Sequence, residues 1–325
     1  MALCWLVSFS IMAAPLLQQR RISTLEATTS ALLLAYGEWV RPNALPGAIP
    51  LCLLWAWLFL LRTEKPKALK VIIAGACLCT AIVAGQWIIS NVIAKPAKSY
   101  PENKLFLHDL TGIYVRTGEN PFPPIVFANP DFDTSYLRTH YHPATFDGIW
   151  WNNDNLTILP APDEQITHDL FRAWKSAVTR HPIIYLQQRF EGFLYYLRVK
   201  NRREEFHYYF PWVHPNELGV VHHENMLTRM LQKPIKWQKD TFYMKPWFWF
   251  FLNVLLLFLS RAIRRRATRQ LYNTLVWSAF LYQATSFLIF QTDTDFRYFY
   301  WNCIACFLAV AFLLNDRLTK ADQAN

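Results

Sequence analysis

Residues 71–93 read VIIAGACLCTAIVAGQWIISNVI, a run of 23 residues without a single charge. A helix needs about 20 apolar residues to cross the roughly 30 Å hydrocarbon core of a bilayer, so this run is read as a membrane crossing. Basic residues bracket it, Arg62, Lys65, Lys67 and Lys70 before it and Lys95 and Lys98 after it. Similar runs recur on either side. Residues 2–17 end at Arg20 and Arg21, residues 246–260 (PWFWFFLNVLLLFLS) end at an Arg-rich stretch from Arg261 to Arg269, and residues 271–290 and 298–314 follow. Between 28 and 61 the apolar pattern is interrupted by Glu38-Trp-Val-Arg-Pro-Asn43. Proline removes a backbone donor and drives the residue before it out of the helical region, so 29–61 is expected to form a short helical hairpin with Arg41 and Asn43 at its tip.

The sequence thus predicts an all-α multi-pass membrane protein with about seven transmembrane segments. Four lie in residues 1–94 and three in residues 246–325. A mixed, mainly helical insert, 95–245, stands between them. The net charge of +10 supports the same plan, because the insert holds 18 Lys and Arg against 16 Asp and Glu and most of the excess falls in short connections. Such a bias marks cytoplasmic loops. It places the insert and the N-terminus outside and the C-terminal tail inside, and it leaves no basic aromatic face for a nucleic acid. The abrupt start at residue 2 leads to the expectation that helices precede this sequence in the native protein.

All nine histidines lie in the insert and all six cysteines in apolar segments, so no disulfide framework is expected there. Cys303 and Cys306 have redox-motif spacing but are read as packing residues of a membrane helix. Within the insert, 105–115 is the expected helix of the first half. From Asp163, a suitable helix start, Leu170, Trp174 and Val178 share one face up to a break at Pro182. Ile183, Leu186, Phe190, Phe193 and Leu197 then repeat opposite Gln187, Gln188, Arg189 and Glu191. These amphipathic helices at 163–200 either cover the core of the insert or lie on the membrane surface. His108, Asp109, His140 and His142, with Asp131 or Asp133, are the candidates for a divalent metal, although no established ligand spacing is present. Asn155-Leu-Thr157 is a glycosylation sequon.

Three stretches carry a family resemblance: 32–46 (LLLAYGEWVRPNALP), 174–189 (WKSAVTRHPIIYLQQR) and 292–301 (TDTDFRYFYW). Their order and shared sidedness resemble polyprenyl-phosphate-sugar-dependent glycosyltransferases of the GT-C fold, the class of the protein O-mannosyltransferases and aminoarabinose transferases. The resemblance implies transfer of a sugar from a lipid-linked donor to an envelope glycan or protein acceptor at the outer face of the inner membrane. It implies that Arg41 and Arg297 hold the donor phosphate, supported by Asp295 and Tyr298. The family's acid lies in a first outer loop that has no counterpart in this chain, which leaves Glu38 as the candidate base. A helix-end Glu beside an Arg is ordinarily a local ion pair. Two other readings stay open. One is an O-antigen polymerase or ligase depending on His140, His142 or His181. The other is a non-catalytic membrane subunit that binds a partner through the insert.

Overall fold

The structure is a computed structural model that describes residues 1–62, 66–94, 100–128, 133–150, 163–200, 218–221, 223, 225–238, 241–288 and 296–324; of some helical residues, Arg297 among them, only the backbone is described. The described residues form helices and no strand, apart from one isolated bridge between His142 and Thr145. In chain order the helices are α1 (Ala2–Leu17), α2 (Thr24–Val40), α3 (Leu45–Leu60), α4 (Ala68–Ile88) and α5 (Glu102–Thr117). After them come α6 (Ser135–His140), α7 (Asp147–Trp150), α8 (Glu164–Arg180) and α9 (Pro182–Tyr196). The last four are α10 (Met226–Gln238), α11 (Pro246–Leu259), α12 (Arg266–Leu288) and α13 (Tyr300–Ala324).

The chain divides into two compact units. The first comprises Met1–Ala97, Trp249–Thr285 and Phe299–Asn325. Three of its helical stretches, Pro42–Leu60, Ala68–Ile93 and Tyr300–Leu318, are long and apolar enough to cross a membrane. Helices α1 and α11 are apolar but shorter, at 16 and 14 residues. Helix α12 has the length, yet polar residues lower its hydropathy, and two of them are satisfied inside the unit. Ser278 donates to the Gly47 carbonyl at 2.5 Å and accepts from Trp301 Nε1 at 2.9 Å, while Tyr272 donates to the Leu256 carbonyl.

The α2–α3 connection follows from its proline. Helix α2 ends at Val40, Arg41 takes the non-helical angles φ −146° and ψ 82°, and Pro42–Ala44 form a 3₁₀ turn that leads into α3. At the other end of α2, Ser23 and Glu26 form a reciprocal capping box, and Arg20 pairs with Glu26 at 2.5 Å. The core is built around Trp5, which is fully buried edge-on to Tyr282 and Trp301. Two glycines admit its ring. A Cβ on Gly37 would lie 2.8 Å from Trp5 Cδ1, and one on Gly47 would lie 3.2 Å from its far edge. The Arg-rich turn before α12 is tied to α13, where the buried Asp316 carboxylate accepts the Arg264 and Arg265 amides at 3.0 and 3.2 Å.

The second unit comprises Lys98–Phe248 and Ser286–Tyr298. Its core joins Leu107, Leu110 and Ile113 of α5 to Leu170 and Ala177 of α8 and to Val126, Leu137 and Phe146 of the connecting segment. Asp163 caps α8 by accepting the Gln165 amide at 2.9 Å. Pro182 opens α9 at its first position, where its missing N–H costs nothing, and His181 makes the break between the two helices.

The polarity of α9 corrects the expectation from periodicity. Gln188 and Arg189, read as its outer face, are each only 2% exposed, whereas Ile183, Leu186 and Phe190 face outward. Phe193 and Leu197 are buried as their apolar character suggests. The reason lies on α5. Gly112 leaves room for the Gln188 amide, whose oxygen would stand 2.1 Å from a Cβ at that position, and Asp109 supplies the charge that Arg189 needs.

Candidate functional site

The best-defined polar cluster belongs to the second unit and is organised by Asp109, in the middle of α5 and fully buried. Its carboxylate accepts from Arg189 Nη2 at 2.5 Å, from Trp174 Nε1 at 2.8 Å and from Gln188 Nε2 at 3.3 Å. Gln188 Nε2 also donates to the His108 carbonyl at 3.2 Å, and the Arg189 guanidinium lies over the Tyr185 ring. Burial raises the Asp109 pKa above the usual carboxylate value, against the pull of Arg189 and Trp174. Burial alone would lower the Arg189 pKa, but the Asp109 charge more than offsets it and the net shift is upward. The pair is ionised at neutral pH, because a guanidinium keeps its proton and a protonated Asp109 would leave that cation buried without a counter-charge.

A second layer surrounds the pair. Arg116 donates to Glu191 at 2.6 Å and to the Gly112 carbonyl at 3.0 Å, and Lys200 reaches Glu191 at 3.1 Å. Burial alone would raise the Glu191 pKa, but Lys200 and Arg116 hold it below its usual value. His108 is buried against Tyr141 and Phe146, and its Nε2 donates to the His142 carbonyl at 3.1 Å. Burial, with Arg189 and Arg116 nearby, lowers its pKa to about 4, so it is neutral. The Asp109 carboxylate is occupied by donors from α8 and α9. The cluster therefore works as a clamp that fixes α5, α8 and α9.

The metal candidates are dispersed. His108 and Asp109 belong to the clamp, His140 stacks on Tyr136 and contacts its carbonyl, and His142 Nδ1 accepts the Ala144 amide at 3.1 Å. Asp133 accepts the Ser135 amide at the start of α6, and Asp131 lies outside the described residues. Among the described residues no group of three or more His, Cys, Asp or Glu is placed to hold a metal ion.

In the first unit, Glu38 stands near the end of α2, 1% exposed, with no hydrogen-bond partner for either carboxylate oxygen among the described residues. The expected local ion pair with Arg41 is not formed. The Arg41 guanidinium contacts Asn43 Oδ1 at 3.3 Å and lies over the Tyr282 ring, 5.8 Å from its centre. A buried carboxyl without a hydrogen-bond partner is costly to keep in a fold. The same unit has an apolar groove of about 440 Å³ between α3, α4 and α12, walled by Leu53, Trp57, Val71 and Trp277, with Gln270 and Asn273 at one side.

A polar recess of about 150 Å³ in the second unit is lined by Glu119, Ser176, Arg180 and His181. There His181 Nε2 meets Glu119 at 3.1 Å, and Arg180 approaches the same carboxylate at 3.8 Å. Of the 292–301 turn, Asp293 and Asp295 lie outside the described residues. The Arg297 backbone and a half-buried Tyr298 fall in a 3₁₀ turn, Phe296–Phe299. The sequon at Asn155 is also outside the described residues. Sequence reasoning missed the clamp partners Gln188, Arg189 and Trp174, and the one local signal for them was Gly112, three residues after Asp109 in a helix.

Comparison of the chain with protein-family models, with curated proteins and with solved structures returns no match.

Proposed function

We propose that the chain is a multi-pass inner-membrane protein that transfers a sugar from a polyprenyl-phosphate donor to an envelope acceptor. In this reading seven segments cross the membrane and the 95–245 insert lies outside. The observation that carries it is the pairing of opposite chemistries at the α2–α3 turn: the Arg41 cation over Tyr282, three residues from a buried carboxyl, Glu38, that no neighbour neutralises. Lipid-linked transfer needs both. A cation stabilises the departing phosphate, and a carboxylate takes the acceptor proton.

In the reaction the acceptor hydroxyl gives its proton to Glu38, and its oxygen attacks the anomeric carbon. The bond from that carbon to the phosphate oxygen breaks, and polyprenyl phosphate leaves with the electron pair, held by Arg41. The apolar groove beside Trp57 and Trp277 suits an isoprenoid chain.

The test is sugar transfer by the purified chain in proteoliposomes supplied with a polyprenyl-phosphate sugar. Arg41→Ala and Arg297→Ala should each lower transfer by about 10²-fold or more while the protein stays in the membrane. Full activity in both would remove the phosphate assignment.

The recess at His181 favours a second reading, a polymerase- or ligase-like enzyme that uses the His181–Glu119 pair as its base. It requires His181→Ala, and not Glu38→Gln, to abolish turnover.

A further inference from the structure

Helix α10, MLTRMLQKPIKWQ, leaves four large apolar side chains exposed among its described residues. At 100° per residue, Met226, Met230 and Trp237 stack on one side with Leu227 and Lys233 at the two borders of that arc, while Thr228, Arg229 and Gln232 fall on the rest of the circumference. In a domain surrounded by water the first group would be buried. Here Met226, Leu227, Met230 and Trp237 are all exposed, Trp237 at 79%, whereas Thr228 and Gln232 are partly buried. Helix α9 also exposes apolar side chains, Ile183, Leu186 and Phe190, while Gln188 and Arg189 turn inward. Two helices of one unit therefore show large apolar side chains to the outside.

We propose that α10 is an interfacial helix that docks on an anionic bilayer surface. Met226, Leu227, Met230 and Trp237 enter the boundary of the acyl chains, and Arg229 and Lys233 meet lipid phosphates. Three observations select a bilayer as the occupant. The thirteen residues carry Arg229, Lys233 and Lys236 and no acidic residue, which matches an anionic surface. A tryptophan at the end of an apolar arc is the amphipathic ring that settles at headgroup level. Seven residues, 239–245, connect α10 to the apolar helix α11, a reach of at most about 25 Å. The proposal rests on the membrane location of the chain and not on sugar transfer.

Hydrogen exchange of the full chain in nanodiscs tests it. One set of discs holds phosphatidylcholine alone and the other adds phosphatidylglycerol, and exchange is followed in the peptide spanning 226–238, with the α5 peptide as an internal standard. The 226–238 peptide should exchange more slowly in the anionic discs, by roughly fivefold for each basic residue engaged. The double variant Arg229→Gln/Lys233→Gln should lose most of that difference without changing α5. Equal exchange in the two discs, or a difference that survives both substitutions, overturns the proposal. Slowing that appears only when a soluble protein fraction is added also overturns it and assigns the face to a protein partner. Failure of the chain to enter discs at all would contradict the membrane location itself, a result distinct from the loss of lipid selectivity.

Discussion

The Arg189 guanidinium lies 2.5 Å from the Asp109 carboxylate, with side-chain exposures of 2% and 0%. This pair, formed across 80 residues, sets the polarity of α9 and joins it to α5. Removing one partner strands a buried charge. Asp109→Ala and Arg189→Ala should each destabilise the chain by about 3–5 kcal/mol. The double change Asp109→Leu/Arg189→Met should cost much less than the two singles together. Thermal unfolding in detergent, run as a double-mutant cycle, measures the coupling, and additive effects would show that the two charges do not depend on each other.

Gly112 is a space requirement and not a hinge. A Cβ there would lie 2.1 to 2.4 Å from the end of the Gln188 side chain. Gly112→Ala should lower the unfolding midpoint although alanine favours a helix, and Gln188→Ala in the same chain should restore part of the loss. A Gly112→Ala protein as stable as the parent would mean that α5 and α9 are not packed this closely.

The first unit offers a parallel test at Trp5. A Cβ on Gly37 would meet Trp5 Cδ1 and Nε1 at 2.8 Å, and Trp5 is fully buried. Gly37→Ala should destabilise by about 1–3 kcal/mol. The near-ultraviolet circular dichroism of the purified chain should lose part of its tryptophan signal, and an unchanged spectrum and melt would count against this packing.

His108 gives the chain a dependence on pH. Its pKa falls from an ordinary 6.5 to about 4 when the chain folds. Between those values the unfolded chain binds a proton that the folded chain refuses, so stability declines as pH falls through that window and levels off below about 4. The contribution is about 3 kcal/mol. Glu191, held low by Lys200 and Arg116, adds a loss of the same sign at lower pH. His108→Phe should flatten the stability profile between pH 6.5 and 4 while the low-pH limb from Glu191 remains. A slope as steep as that of the parent would place the titration on another group.

Much of this architecture is legible in the sequence where a local rule governs it. Pro42 ends α2, Pro182 separates α8 from α9, Asp163 caps α8, and uncharged runs mark the helices long enough to cross a membrane. What escapes is which face of a helix meets protein. Periodicity shows that α9 has two faces, but only the remote Asp109 and Gly112 decide that the Arg189 face turns inward. The same limit hides the state of Glu38. Sequence adjacency suggests a pair with Arg41, yet the non-helical angles of Arg41 carry its side chain to Asn43 and Tyr282.

The central claim is that Glu38 serves as the base in a transfer from a lipid-linked sugar. The most direct measurement is polyprenyl-phosphate release by the parent chain and by Glu38→Gln in proteoliposomes, with donor binding measured in parallel. The account predicts release by the parent, a loss of about 10²–10⁴-fold in Glu38→Gln, and unchanged donor binding. Equal release by the two proteins, or none by the parent with every substrate present, would contradict it.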